Sequence, residues 1–230
     1  NYMKKTFLSI IILFFSTINT NISAHVNHYD NFNSLKYELF RNNKLIGFHN
    51  YNFKRLKDIL VVKSNVEFSI IKLGINLYDY KANSEEIYKN NKFSKFTSTT
   101  IQNKKKKFVN IKFDDKSNQL IIDGSSYKGA VSKDFIVGTW WNHEIIKAKS
   151  QVSAISGRVI EQKITFIGKE KIKIGNKNYN TLRFNFSSSD LSLPPEKKLN
   201  TDIWYEENTY LWVKAAFDKT GYWEYRLKTS

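Results

Sequence analysis

Apolar and polar residues alternate with period two along almost the whole chain from Leu35 onward, and short clusters of Asn, Asp, Gly and Lys interrupt the alternation. Successive side chains of a strand point to opposite faces, so the pattern predicts an antiparallel β protein. The first two strands, over residues 35–41 and 45–53, flank Asn42, Asn43 and Lys44, and asparagine tolerates the left-handed backbone of a tight hairpin. Gly47 within the second strand marks a bulge or a close backbone approach. In residues 58–72, Leu60, Val62, Val66, Phe68 and Ile70 share one face. Residues 77–88 place Tyr78, Tyr80 and Ala82 on one side, and Asn90, Asn91 and Lys92 turn the chain into 93–102. The lysine run 104–107 reads as a solvated hairpin tip, and shorter strands fit 108–113 and 119–123.

Periodicity weakens near 141–149, where one short helix is expected, with Ile145 and Ile146 covering an end of the sheet. Strands resume at 158–167, 171–174 and 179–186, the last with Leu182, Phe184 and Phe186 on one face. Residues 187–200 hold both prolines, Pro194 and Pro195, and read as a loop. A closing meander runs over 201–206, 210–218 and 222–228, with Lys219, Thr220 and Gly221 as its final turn. No linker or repeat divides the chain, so residues 34–230 are expected to form one domain. Its class is all-β: a single antiparallel meander of about ten strands, curled into a barrel or half-barrel because open sheets of that size curl.

The first 24 residues break this pattern. An apolar run from Phe7 to Phe15, interrupted only by Ser9, follows Lys4 and Lys5, and Ala24 ends a short polar stretch. A positive end, a short apolar run and a small-residue site describe a cleaved signal peptide, and the run is too short to span a bilayer. Cleavage after Ala24 is expected to leave His25 as the N-terminus, with residues 25–33 as a flexible lead. Asn1 and Tyr2 precede Met3 and are read as lying upstream of the native start. The chain has no cysteine, which removes both disulfides and a lipid-modified N-terminal Cys. A soluble periplasmic protein with no transmembrane segment after cleavage is the expected outcome.

Charge alters this picture little. The net charge is +16, but the basic residues are 32 Lys and only 5 Arg. Bidentate recognition of phosphates or bases favours Arg, and export separates the protein from nucleic acid, so no nucleic-acid partner is expected.

Several short motifs occur in a fixed order: Leu45-Ile46-Gly47-Phe48-His49, Tyr80 five residues before Glu85, Thr139-Trp140-Trp141-Asn142, Gly157-Arg158-Val159, Ile203-Trp204-Tyr205-Glu206, and Gly221-Tyr222-Trp223-Glu224-Tyr225-Arg226-Leu227. In this order they resemble exported proteobacterial domain-of-unknown-function proteins that end in a W-Y-D…G…Y-R-L pattern. Glu206 stands where that pattern has Asp, and Trp140-Trp141-Asn142-His143 where it has Tyr-Trp-Asn-Pro. The resemblance implies an antiparallel half-barrel akin to the lipoprotein carriers of the periplasm, and it brings no catalytic residues.

Trp140, Trp141, Asn142 and His143 form the densest cluster of candidate chemistry. Paired aromatics with an amide and an imidazole suit a sugar ring or an amphipathic head group. The favoured reading is structural: one Trp plugs the barrel end while Asn142 caps the helix that follows. His25 and His28 raise a second idea, since a free amino group and imidazole chelate Cu(II), with His49 or His143 as the partner on the fold; a frayed polar terminus is the alternative.

Other enzyme signatures are missing: His143-Glu144 lacks the second histidine of a zincin helix, and no G-x-S-x-G elbow occurs. Glu85-Glu86 and Glu206-Glu207 read as strand-edge charges. The 17 Phe, 13 Tyr and 5 Trp will mostly fill the core, but a curled, unclosed sheet leaves room for a groove. Tyr78, Tyr80, Phe184, Phe186 and Trp204 are its candidate lining. The expected function is non-enzymatic binding of a lipid or hydrophobic envelope component, with no catalytic residue, metal or cofactor assigned. An exported enzyme, copper-dependent or carboxylate-based, and a partner acting by strand addition are the alternatives.

Overall fold

Paired asparagines set the hairpins. Asn42 and Asn43 have φ of 49° and 61°, and Asn90 and Asn91 have 49° and 60°, the left-handed values that match a two-residue turn to the twist of its strands. The computed structural model describes residues 32–228; the expected signal peptide, His25 and His28 lie outside the described residues. The first half of the chain forms β1 (Ser34–Arg41), β2 (Lys44–Leu56), β3 (Ile59–Lys72), β4 (Ile75–Lys89), β5 (Lys92–Gln102), β6 (Lys105–Asp114), β7 (Gln119–Gly124) and β8 (Lys128–Ser132). After β9 (Ile136–Val137) and a 3-10 helix (His143–Lys147) come β10 (Ser150–Val152), β11 (Val159–Ile174) and β12 (Lys177–Ser188). A second 3-10 turn (Pro195–Lys197) leads to β13 (Asn200–Glu206), β14 (Trp212–Asp218) and β15 (Tyr222–Leu227).

All fifteen strands belong to one sheet, in the order β8-β7-β6-β5-β4-β3-β2-β1-β15-β14-β13-β12-β11-β10-β9. Every pairing is antiparallel except that of β9 with β10. The first and last strands pair at the centre of the sheet, and its edges, β8 and β9, are consecutive in the chain. These edges do not hydrogen-bond, so the sheet is a curled half-barrel rather than a closed barrel.

Packing completes the curl. The loop between β10 and β11 tucks against β7, where the Ser126 amide donates to the Ser156 carbonyl at 2.8 Å. Gly157 sits there with φ +78°, and a Cβ at this position would meet the Val109 and Ile122 side chains at 3.0 and 3.1 Å. Trp141 and Ile145 are buried against the inner faces of β1–β3 and β11–β15. A second apolar cluster joins Phe96, Ile111 and Ile122 to Val137 and Val152, which brings the two edges of the sheet together.

The all-β half-barrel agrees with the sequence expectation, while the strand count is larger. β8, β9 and β10 have two to five residues each, too short for periodicity to register. The segments 158–167 and 171–174 are one strand, β11, with a bulge before Gly168. The hairpin tip expected over 104–107 is confined to Asn103 and Lys104, and the remaining lysines lie in β6. The expected helix is reduced to the 3-10 turn His143–Lys147. Gly47 meets both of its readings: register slips beside it, and the Phe68 backbone leaves no room for a Cβ. Among the described residues no helix is long and apolar enough to cross a membrane.

Candidate functional site

Cross-strand register places two rows of short side chains on the inner face of the sheet. Tyr51, Ser64, Ser84 and Ser98 lie opposite one another across β2 to β5, and the next row holds His49, Val66, Ala82 and Thr100. On the other side of the Tyr51 row, Phe53, Val62, Glu86 and Phe96 align. Period two therefore sends the two adjacent glutamates to opposite faces. Glu85 pairs outside with Lys63 at 3.5 Å, whereas Glu86 is buried inside a central strand. The strand-edge reading of Glu85-Glu86 is corrected accordingly. Glu206 differs too, since it accepts from the Asn208 and Thr209 amides and holds the β13–β14 turn.

Thr139 to Asn142 crosses over this face and is pinned to it through Glu86. Trp141 Nε1 and Thr139 Oγ1 donate to Glu86 Oε2 at 3.0 and 3.3 Å, and the Tyr88 hydroxyl donates to Oε1 at 2.5 Å. Asn142 Nδ2 donates in turn to the Tyr88 oxygen at 3.0 Å, while its Oδ1 accepts the Glu144 amide at 3.1 Å. Asn142 thus both caps the 3-10 helix and joins the buried network. Among the described residues no cation faces Glu86, and burial raises its carboxyl above the ordinary range against the pull of its three donors.

The crossing segment separates two spaces. On the Asn142 side, an open cleft of about 640 Å³ is walled by Phe93, Phe113, Phe135 and Ile136, floored by Tyr88 and Asn142, and rimmed by charged residues such as Lys92, Lys133 and Asp134. On the Trp140 side, a smaller hollow of about 170 Å³ lies over the rows of short residues and is lined by His49, Thr100, Thr139 and Trp140. Burial pushes the His49 imidazole down to about 3, so it is neutral.

The expected site residues therefore do not form one site. Asn142 reaches the cleft, Trp140 and Tyr80 line the inner hollow, and Trp141 is a buried plug. His143 is buried and stacks on Tyr210 at 4.8 Å, with Nε2 3.4 Å from Glu144 Oε1. Phe186 is core, Phe184 packs half-buried beside it, and Tyr78 stacks on Phe68 at 5.9 Å. Trp204 lies on the outer face, donating to Glu170 Oε2 at 2.8 Å beneath Arg183 and Lys214. Sequence reasoning took Glu86 for a strand-edge charge and His49 only for a candidate copper partner, and it missed Tyr88 and the serine rows. The available signal was Ser64, which interrupts the apolar face of Leu60, Val62, Val66 and Phe68. Among the described residues no group of three or more His, Asp or Glu is placed to hold a metal ion.

An unclosed antiparallel sheet curled around a cleft defines a β-barrel-like fold. The sequence matches the Domain of unknown function (DUF6134) over residues 37–228, and the chain belongs to that family. Its fold is similar to the crystal structure of a β-barrel-like protein of domain of unknown function DUF1849 from Brucella abortus, with a TM-score of 0.59 and 11% identity. That match covers 85% of this chain and 95% of the other. No curated protein matches the chain.

Proposed function

We propose that this protein is exported to the periplasm and acts there as a non-enzymatic carrier or receptor for an amphipathic, lipidic envelope component, held in the cleft beside Asn142. The cleft itself carries this reading. Its volume of about 640 Å³ falls within the range of small-molecule sites, and its aromatic walls suit an acyl chain while the polar floor and charged rim suit a head group. The Lys4-to-Ala24 pattern supports export. Strand addition is less favoured, because the two sheet edges are only five and two residues long.

Native mass spectrometry and lipid extraction of protein purified from its own envelope fraction test this reading. A co-purifying lipid is expected with the wild type and should be lost with Phe135→Asp, which places a charge on the half-buried cleft wall. A lipid-free wild type, or lipid retained by the variant, counts against it.

A further inference from the structure

The inner hollow does not depend on what fills the cleft. It exists because the facing residues of β3, β4 and β5 are Ser64, Ala82, Ser84, Ser98 and Thr100, where neighbouring rows carry aromatic or branched side chains. Trp140 and Ile155 roof this space, and both are half-buried, so it reaches the surface. Its volume of about 170 Å³ accommodates roughly six water-sized groups, at about 30 Å³ each.

The chemistry of the lining restricts the occupant. Among the described residues no Lys, Arg, Asp or Glu lines the hollow, so a charged guest would be desolvated without a counter-ion. The polar groups are hydroxyls and one neutral imidazole. His49 Nε2 is engaged with Ser64 Oγ at 2.8 Å, while its buried Nδ1 has no hydrogen-bond partner among the described residues. Thr100 stands beside the Tyr80 phenol, and its fully buried Oγ1 makes no well-formed hydrogen bond. Unpartnered buried polar groups are costly, so such a pair points to a guest that hydrogen-bonds. If Ser64 donates to Nε2, Nδ1 is the donor, and if Ser64 accepts, Nδ1 is the acceptor; a hydroxyl matches either form, a carbonyl only one. The Trp140 indole adds an aromatic wall on which a ring can stack.

We propose that this hollow is a second binding site, for a small uncharged polyhydroxylated group no larger than one sugar ring, held by His49 Nδ1 and Thr100 Oγ1 against Trp140.

Titration of the full chain with glucose, followed by Trp fluorescence and by NMR of the His49 ring, tests the assignment. Saturable millimolar binding is expected, independent of salt. Ala82→Ile fills the hollow and should abolish binding, and Thr100→Val, which keeps the packing volume, should weaken it about fivefold, the value of one hydrogen bond. If Ala82→Ile fails to fold, Thr100→Val decides. Octyl glucoside run alongside tells whether the sugar enters free or as the head of an amphipath, and saturation by either supports the site. An absence of saturation with both, unchanged affinity in the folded variants, or tighter binding of glucose 6-phosphate overturns it.

Discussion

Two tryptophans in this molecule each donate an indole N–H to a glutamate, one on each face of the sheet, and the two carboxyls respond in opposite directions. On the inner face, Glu86 takes Trp141, Thr139 and Tyr88 as donors and has no cation, and burial raises its carboxyl. On the outer face, Glu170 takes Trp204 and the Arg183 guanidinium, which lower it. Arg183 also holds Asp202 at 2.5 Å, and Lys214 and Arg226 flank Glu224, whose tendency to rise through burial they overcome. The hydrogen-bonding module is similar in the two places; solvent and countercharge set the sign. The inner network fixes the crossing segment through hydrogen bonds with no countercharge beside it, while the outer one spreads charge over a half-exposed face.

The comparison is broken most severely by Glu86→Leu. Three buried donors lose their acceptor, and with each costing about 1 to 3 kcal/mol the folded state should lose about 3 kcal/mol or more. Urea denaturation at neutral pH measures it, and a loss under about 1 kcal/mol would mean that the donors find other partners. On the outer face Arg183→Met removes two ion pairs at roughly one-third exposure, and the expected loss is about 1 kcal/mol. That loss should shrink in high salt, whereas the Glu86→Leu loss should shrink far less, because salt screens exposed charges much more than buried groups. Equal salt sensitivity of the two variants would contradict the contrast between the faces.

Much of the scaffold was legible in the sequence because local rules decide it. Asn42-Asn43 and Asn90-Asn91 specify their turns directly, and the long strands β2 to β5 bury one face with period two. The candidate site was legible only in part. Asn142 was readable as a cap, but the role of Glu86 depends on which face of β4 lies inside, and a strand adjacent to two others looks the same in sequence as an edge. Likewise Ser64, Ser84 and Ser98 look like ordinary strand serines until register brings them side to side. Short strands such as β9 exist only through their tertiary partners, so no local signal marks them.

The finest test of the inner face lies in pH, because Glu86 and His49 pull stability in opposite directions over one window. Glu86 has a folded pKa raised above 4.5, so the folded state keeps its proton where the unfolded state has lost it, and stability falls as pH rises from about 4.5. His49 has a folded value of about 3 against 6.5 unfolded, so the unfolded chain alone takes up a proton, and stability falls as pH drops below about 6.5. Glu170 and Glu224 are lowered, and their contribution is lost only below 4.5, outside this window. Between pH 4.5 and 6.5 the inner pair therefore partly cancels in the wild type. Glu86→Gln, which preserves an acceptor and should stay within about 1 kcal/mol of wild type, leaves His49 unopposed, and stability should climb more steeply with pH. His49→Gln leaves Glu86 unopposed, and stability should decline across the same interval. Urea midpoints taken at half-unit steps of pH read both slopes; if the two variants shift the slope in the same direction, the opposed titration of the inner face is wrong.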